Sequence, residues 1–287
     1  MADKRKTNVV IVGGGASGLA AAITLRMKKD IGVLVIEKLD EPARKIRATG
    51  SGKCNVSNTE VPDYMDIVGF FAGIGLMTRS YESGLVYPYS ESASDVAEIL
   101  IRRTKQLGAE IACCEEVISV QKNGESGFEV LSKYKDADGE HIISTEADFV
   151  IMACGGKAGP MYGTTGDGYR IARALGHSVV TPVPALTGIE CSEWGEESDP
   201  CAIILAGTRS RGVVRLYKKD QDESKKLIFE EEGEVQFTKY GLSGICVFNM
   251  TRHMRFDSAG GESLSDFLVT VDLCPGKDLA KDRKSVV

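Results

Sequence analysis

The feature that most constrains this chain is a cluster of glycines between a strand pattern and a helix pattern near its amino terminus. The run Asn-Val-Val-Ile-Val at 8–12 is typical of a buried parallel strand. It is followed by Gly-Gly-Gly-Ala-Ser-Gly at 13–18 and by an alanine-rich helix pattern at 19–25. Together they give the G-x-G-x-x-G spacing in the strand–loop–helix context of dinucleotide-binding proteins.

Each part of this loop has a physical role in holding a diphosphate. Gly13 permits the tight turn, Gly15 lets phosphate approach the main chain, and Gly18 allows the helix to pack closely on the strand. At the start of the helix, Ala16 and Ser17 present free N–H groups and a partial positive charge. We therefore expect these residues to bind a diphosphate; a glycine-rich turn without a ligand is the alternative.

An acidic residue follows the second strand pattern at the spacing that a ribose contact requires. The run Gly-Val-Leu-Val-Ile at 32–36 ends in Glu37, which lies 19 residues after Gly18. A carboxylate at this distance accepts hydrogen bonds from ribose hydroxyls and repels a 2′-phosphate. Glu37 and the adjacent Lys38 are therefore expected at the cofactor, which at this point is either FAD or NAD.

Charge, cysteine spacing and hydropathy exclude several other classes of protein. The chain has 35 lysines and arginines against 41 acidic residues, so a nucleic-acid partner is not expected. Its eight cysteines form no C-x-x-C motif, so we predict no metal site and a reducing, cytoplasmic location. A basic stretch at 4–6 before the uncharged run 9–25 has the outline of a signal peptide, but the glycines interrupt it. The uncharged run 9–25 is also too short, and too interrupted by glycines, to span a membrane.

The stretch at 43–58 favours FAD over NAD. It reads Ala-Arg-Lys-Ile-Arg-Ala-Thr-Gly-Ser-Gly-Lys-Cys-Asn-Val-Ser-Asn and follows the second strand too soon to be the next buried strand of an NAD domain. A basic, glycine-rich loop at this place is suited to wrap the part of a longer cofactor beyond the diphosphate. Lys45 and Lys53 are expected to face phosphate or the electron-rich edge of the flavin, with solvated surface lysines as the alternative.

Together with the phosphate loop, this stretch resembles the HI0933-like family of FAD-dependent oxidoreductases. The corresponding family pattern reads G-R-K-x-x-x-T-G-x-G-R/K-C-N-x-S/T-N, and Ala43 stands where the family usually has glycine. Segments at 84–94, 153–186 and 237–244 resemble later motifs of the family, in the same order. The resemblance implies FAD contacts at Arg44, Lys45, Thr49, Gly50, Ser51, Gly52, Lys53, Cys54 and Asn55.

The resemblance implies further contacts along the chain. The main chain near Val117 is expected at the adenine, although an ordinary strand residue is a comparable interpretation. Asp167 precedes a helix pattern that runs through Leu175, and a simple capping acid is its alternative role. For Cys54, a packing or backbone role is favoured over a redox role, because no resolving cysteine is nearby in the sequence. The remaining contacts implied are Gly155, Gly156, Thr165, Gly166 and Asp167.

The predicted fold class is α/β, with a Rossmann-like FAD-binding domain at 1–186 built on a parallel sheet. Alternating apolar and polar residues predict a small antiparallel β element at 111–147 within it. A helix is predicted at 93–107, capped by Ser92 or Ser94. Short strand patterns and one helical stretch at 243–254 predict an inserted, mostly-β substrate domain at 187–287. Members of the resembled family extend past the length of this chain, so we expect this second domain to be incomplete.

No catalytic residue is predicted, because a flavin carries the electron chemistry while the protein binds, orients and tunes it. The histidines, His141, His177 and His253, are scattered and form no Ser-His-Asp arrangement. A second G-x-G-x-x-G is absent from the sequence. NAD(P)H is therefore expected only as a transient reductant rather than in a domain of its own.

Several functions stay open on the sequence alone. The first is an FAD-dependent oxidoreductase that passes hydride through the flavin to or from a small-molecule substrate. The resemblance extends to reduction of conjugated C=C bonds in steroid-like acids and to amine oxidation. The second is an NAD-dependent dehydrogenase, which leaves the 43–58 stretch unexplained, and the third is a cofactor-poor, non-catalytic fragment. An FAD-dependent tRNA modifier is disfavoured by the acidic balance, and no oligomeric state is predicted.

Overall fold

The computed structural model describes residues 3–124, 126–191, 205–219, 225–254 and 263–277. The chain divides into two compact units, residues 1–181 and 182–287. This division falls close to the predicted boundary after residue 186, which itself stays a prediction. No helix in the described part of the chain is long and apolar enough to cross a membrane.

Unit 1 is an α/β unit whose helices and strands alternate along its first half. Its strands are β1 (Asp3–Val12), β2 (Val33–Ile36), β3 (Ser57–Asn58), β4 (Thr78–Ser80), β5 (Leu85–Pro88), β6 (Glu110–Ala112), β7 (Glu115–Lys122), β8 (Phe128–Asp136) and β9 (Gly139–Met152). Its helices are α1 (Ala16–Lys28), α2 (Arg44–Arg47), α3 (Tyr64–Gly73), α4 (Ala93–Gln106) and α5 (Asp167–Ala174).

One six-stranded sheet organises this unit, in the order β6-β2-β1-β9-β8-β7. The first four strands are parallel, β8 pairs antiparallel with β9, and β7 pairs antiparallel with β8. The α/β fold class with a parallel sheet is therefore confirmed. The antiparallel β element predicted at 111–147 is present as β7, β8 and the first half of β9, and it continues the parallel sheet because β9 also pairs with β1 as far as Met152.

Both faces of β2 and of residues 9–12 of β1 are covered, which accounts for the continuous apolar runs that mark these strands in the sequence. Val9 and Ile11 lie in a core cluster with Ala22 of α1, while Val10 and Val12 face the opposite cluster with Ile171 of α5. The predicted helix at 93–107 is present as α4, and the Ser92 hydroxyl caps it by accepting a hydrogen bond from the Asp95 amide at 3.2 Å.

Unit 2 is an antiparallel sheet with one helix against it. Its elements are β10 (Ile189–Glu190), β11 (Arg209–Lys219), β12 (Lys225–Phe237), β13 (Gly241–Ser243), α6 (Ile245–Thr251) and β14 (Phe267–Asp272), and the sheet order is β10-β13-β12-β11-β14. Val214, Leu216 and Val235 pack against Val247 and Met250 of α6. The mostly-β prediction agrees with this sheet, but β11 and β12 are long strands rather than short ones. Residues 192–204, 220–224, 255–262 and 278–287 of the predicted domain lie outside the described residues.

Candidate functional site

A cleft of about 360 Å³ lies in unit 1 at the carboxyl ends of β1, β2 and β9. Ligands of doubly wound sheets bind at this edge, outside the carboxyl ends of the strands. The structure brings many of the predicted cofactor contacts together around this cleft. These are Gly13, Gly15, Ala16, Ser17, Glu37, Lys38, Arg44, Lys45, Thr49, Val117, Gly155 and Asp167.

Glycine is present at each position of the phosphate loop for a different structural reason. Gly13 has φ +106°, and a Cβ added there would lie 2.6 Å from the Ala153 carbonyl oxygen. A Cβ on Gly18 would lie 1.9 Å from the carbonyl oxygen of Gly13. Gly15, in contrast, has no described atom within 4 Å of an added Cβ. The fold therefore requires Gly13 and Gly18, whereas Gly15 keeps space open at the cleft.

The amino-terminal end of α1 is open to a ligand. Gly15 occupies the N-cap position, where it supplies no side-chain hydrogen bond, and the first turn contains no acidic residue. The first N–H groups of a helix have no partner within the helix and carry a partial positive charge. Because Gly15, Ala16 and Ser17 line the cleft, these donors suit an anionic group such as a diphosphate.

Glu37 holds the loop and still has acceptor capacity. Its Oε2 accepts a hydrogen bond from the Gly14 amide at 2.8 Å, and its Oε1 accepts one from the Leu39 amide at 2.9 Å. Each carboxylate oxygen has a second lone pair that can accept a ribose hydroxyl. The uncapped helix, the open Gly15 position and this carboxylate therefore fit the ADP half of a dinucleotide.

The 43–54 segment adopts left-handed backbone at Ala43, Gly50, Ser51, Gly52 and Cys54. Ala43 has φ +62°, which gives a physical reason for the glycine that the resembled family usually has there. The segment contains α2, whose Ile46 is buried in the core. Lys45 reaches across the cleft, where its Nζ donates to the Ala158 carbonyl oxygen at 3.0 Å.

Other predicted contacts lie outside the lining of the cleft, and their role at the cofactor stays a prediction. Lys53 pairs with Glu91, with 2.7 Å between Nζ and Oε2. Cys54 is buried, and burial raises the pKa of its thiol, which agrees with a packing role. The full set outside the lining is Gly18, Gly50, Ser51, Gly52, Lys53, Cys54, Asn55, Gly156, Thr165 and Gly166.

Glu91 is the acceptor of a polar cluster that the sequence did not indicate. In addition to Lys53, the Arg79 guanidinium and the Tyr81 hydroxyl donate to its carboxylate. These hydrogen bonds, with that from Lys53 the largest, lower the pKa of Glu91 to about 2. The cluster ties the 49–54 segment to β4 and to the start of α4.

Asp167 does not cap α5, so the capping interpretation is wrong: within the described residues its side chain bonds to Lys38 and Thr165. The Lys38 Nζ lies 2.8 Å from the Asp167 Oδ2. Burial alone would raise the pKa of Asp167, but the hydrogen bonds from Lys38 and Thr165 outweigh it and lower the pKa. This ion pair links the end of β2 to the start of α5 at the cleft.

Val117 lines the cleft from β7, beside an irregularity in the β7–β8 register. Val117 is 6% exposed, and the adenine contact at its main chain stays a prediction. Close to it, the buried Glu115 accepts hydrogen bonds from Arg5 and from Ser132, the latter at 2.5 Å. The Arg5–Glu115 pair joins β1 to β7 beneath the cleft.

Several cleft residues were missed by the sequence analysis. The signal for Tyr162 to Thr164 was present, because they directly precede the predicted Thr165. No local pattern marks Glu115, because its partner Arg5 lies 110 residues away in the sequence. The missed residues are Val12, Ile36, Leu39, Glu41, Ile46, Glu115, Glu116, Ala153, Cys154, Tyr162, Gly163 and Thr164.

Comparisons with known proteins identify the family of the chain. The family model of the HI0933-like protein Rossmann domain matches residues 61–266, and that of an NAD(P)-binding Rossmann-like domain matches residues 11–57. The chain is 33% identical to the 3-dehydro-bile acid delta(4,6)-reductase of Clostridium scindens, over 96% of this chain and 66% of that protein. It is 24% identical to the ribosomal RNA dihydrouridine synthase of Escherichia coli, over 95% of this chain and 65% of that protein.

The chain thus spans about two thirds of the length of these curated relatives. Among solved structures, it matches the crystal structure of Thermovibrio ammonificans THI4 with a TM-score of 0.45 and 19% identity, over 60% of this chain and 64% of that one. The family model covers most of the chain, in agreement with the resemblance read from its motifs. The chain belongs to the HI0933-like family of Rossmann-fold, FAD/NAD(P)-binding oxidoreductases.

Proposed function

We propose that this chain binds FAD in the cleft of unit 1. We propose further that it is part of a reductase that passes a hydride to a conjugated C=C bond of a small organic molecule. The observation that carries the proposal is the end of α1. An uncapped helix terminus faces an open Gly15, with Glu37 at the end of the neighbouring strand. This arrangement supports binding of the ADP half of FAD.

The chain's own residues bind and orient the cofactor. The N–H groups at Ala16 and Ser17 bind the diphosphate, and the Glu37 carboxylate accepts the ribose hydroxyls. The main chain at Val117 contacts the adenine. Lys45 places a positive charge at the cleft, where it stabilises negative charge on the cofactor. The bound flavin supplies hydride transfer between a reductant and an acceptor.

The substrate class is inferred from the relatives. One relative is named as a delta(4,6)-reductase of 3-dehydro-bile acids, which favours an apolar acid with a conjugated double bond for this chain. The other is named as a ribosomal RNA dihydrouridine synthase. RNA is disfavoured for this chain, because its net charge of −6 opposes the phosphate backbone. NADH or NADPH is proposed as the transient reductant, and a cytoplasmic location is proposed with it.

Absorbance and calorimetric titrations with FAD and with NAD test the cofactor. We expect saturable, stoichiometric FAD uptake with a perturbed flavin spectrum. Uptake of NAD without FAD would instead support the dehydrogenase, and uptake of neither would contradict the proposal in favour of a cofactor-poor fragment. Anaerobic bleaching by NADH against NADPH then identifies the reductant.

A second measurement tests the reaction. Anaerobically reduced protein is mixed with an α,β-unsaturated 3-keto steroid acid or with an RNA fragment containing uridine. We expect reoxidation of the flavin by the steroid acid alone, with the saturated product formed in equal amount. Reoxidation by the RNA alone would contradict the proposed substrate class.

A further inference from the structure

Two adjacent cysteines lie beside the cleft, and the proposed function does not use them. Cys113 and Cys114 connect β6 to β7; both are free thiols, Cys113 half-buried and Cys114 exposed. Cys114 has φ +58°, a left-handed conformation that is uncommon for a residue other than glycine. Such conformations persist only where the surrounding structure holds them, and they are frequent at functional sites.

Hydrogen bonds join this pair directly to the wall of the cleft. The Cys114 amide donates to the Leu39 carbonyl oxygen at 2.9 Å. On either side of the pair, the Glu37 amide donates to Ala112 at 2.8 Å and the Glu115 amide donates to Glu37 at 3.0 Å. Because Glu37 and Leu39 both line the cleft, a change of backbone at Cys114 is transmitted to the cleft wall.

We propose that Cys113 and Cys114 form a reversible redox pair, which a peroxide closes to a vicinal disulfide and which thereby changes the cleft wall. In the first step, the exposed Cys114 thiolate attacks the peroxide oxygen. The O–O bond breaks, and Cys114 becomes a sulfenic acid as water is released. In the second step, the Cys113 sulfur attacks the Cys114 sulfur, the S–O bond breaks and a second water leaves. The two thiols together lose two electrons and two protons, and the peroxide is reduced to two waters.

The geometry suits a labile pair rather than a permanent cross-link. The Cα atoms of adjacent residues lie about 3.8 Å apart, whereas those of ordinary disulfides are about 4.4–6.8 Å apart. A disulfide closed at the shorter distance is strained and is reduced more easily. Closure also changes the dihedral angles of the peptide between the two residues, so that the Cys114 amide turns away from Leu39.

The surroundings of Cys113 assign the order of the two steps. Burial, and then the negative charge of Glu37, raise the pKa of Cys113, with a smaller contribution from Asp40. Lys105 of α4 opposes this, but the pKa stays above its ordinary value. Because Cys114 is the more exposed of the two thiols, it meets the peroxide first, and the half-buried Cys113, whose pKa is raised, resolves the sulfenic acid.

The closed pair is detected by mass spectrometry of the full chain after a peroxide titration and alkylation with iodoacetamide. A single tryptic peptide, residues 106–122, contains both cysteines and no other cysteine. We expect this peptide to become lighter by two hydrogen atoms, to resist alkylation, and to recover both thiols in dithiothreitol. Cys274→Ser is the matched control and should leave this unchanged. Cys113→Ser should yield a sulfenic or sulfinic Cys114 instead.

A peptide that stays fully alkylatable, at peroxide concentrations that oxidise Cys274, would overturn the proposal. Cross-linking of this peptide to another chain instead of internal closure would also overturn it. Hydrogen exchange tests the effect on the cleft wall without any cofactor. We expect oxidation to speed hydrogen exchange in a peptide that contains residues 37–39, and we expect no such change in the Cys113→Ser variant. Unchanged exchange in the oxidised protein would overturn the proposed effect on the cleft wall.

The effect of oxidation on FAD binding rests on the proposed function. The experiment distinguishes failure of this effect from failure of the proposed function. Loss of one hydrogen bond in the cleft wall is expected to weaken FAD binding about fivefold in the oxidised protein. Equal FAD affinity in the oxidised and reduced proteins would contradict this effect while leaving FAD binding intact. If the reduced protein binds no FAD, the proposed function fails, and the mass and exchange measurements still decide the redox pair.

Discussion

At the scale of single residues, the glycines of the phosphate loop were predictable as a set, but their separate roles were clear only in the structure. The spacing alone indicates a diphosphate loop, and the sequence cannot show which Cβ would collide with the fold. A Cβ added at Gly13 or Gly18 would collide with a main-chain oxygen, whereas one added at Gly15 would lie in open space. The pairing of Lys38 with Asp167 was not predictable, because the two residues lie 129 positions apart.

Gly15→Ala should therefore separate binding from folding. Its φ of −75° is accessible to alanine, and no described atom obstructs the new methyl group. We expect an unchanged midpoint of urea unfolding and FAD binding weakened about tenfold or more, because the methyl group keeps phosphate away from the helix amides. Gly18→Ala is the contrasting variant and should lower the free energy of unfolding by about 2 kcal/mol. Equal FAD affinity in Gly15→Ala and the unaltered protein would contradict this assignment.

Glu91 makes stability depend on pH in a defined direction. Its pKa falls from an ordinary 4.5 to about 2 in the folded protein, so its contribution is complete above pH 4.5 and is lost as the pH falls towards 2. Glu91→Gln should lower Tm at pH 7, and the difference in Tm from the unaltered protein should shrink as the pH falls below 4.5. Thermal unfolding followed by circular dichroism between pH 7 and pH 3 measures this difference. A difference that stays constant over this range would exclude the ionised carboxylate as its cause.

At the scale of elements, the local patterns predicted β1, α1, β2 and α4, because periodicity and capping are properties of neighbouring residues. The course of β9 was predicted only in part. Its first half pairs with β8, whereas its carboxyl end, the apolar run from Phe149 to Met152, lies beside β1. One strand with two sets of neighbours therefore gives two patterns, and only its first part fell within the antiparallel element predicted at 111–147.

The contact between Arg5 and Glu115 should be important for joining these strands. Glu115 is 4% exposed, and removing Arg5 leaves its carboxylate buried without its cation. We expect Arg5→Met to lower the free energy of unfolding by about 3 kcal/mol, measured by urea denaturation. Lys4→Met, on the exposed side of the same strand, is the control and should change it little. Similar small effects of both variants would show that this pair does not stabilise the sheet.

At the scale of the whole molecule, the chain divides into two compact units, and the change of pattern along the sequence predicts a boundary after residue 186. The predicted boundary lies a few residues from the division at Thr181 and Pro182. The hydrophobic pattern of the sequence indicates where parallel strands are followed by antiparallel ones. It does not give the residue at which one compact unit ends. The cleft belongs to one unit, because all its lining residues lie between Val12 and Asp167.

FAD should therefore stabilise the two units unequally. A ligand at a concentration one hundred times its Kd adds about 2.7 kcal/mol to the stability of the unit that binds it. For a unit of this size we expect Tm to rise roughly 5–10 °C. Calorimetry of the free and the FAD-bound protein, with circular dichroism, distinguishes the two transitions. An equal shift of both transitions would contradict a cofactor site confined to unit 1.

The open end of α1 has a consequence for how the protein responds to its surroundings. The donors that it offers are peptide N–H groups, which neither gain nor lose a proton over the range in which proteins stay folded. Hydrogen bonds donated by main-chain amides alone are therefore neither lost in acid nor restored in base. Any dependence of cofactor retention on acidity must then originate in titratable side chains of the cleft, such as Asp167, or in the ionisation of the ligand itself.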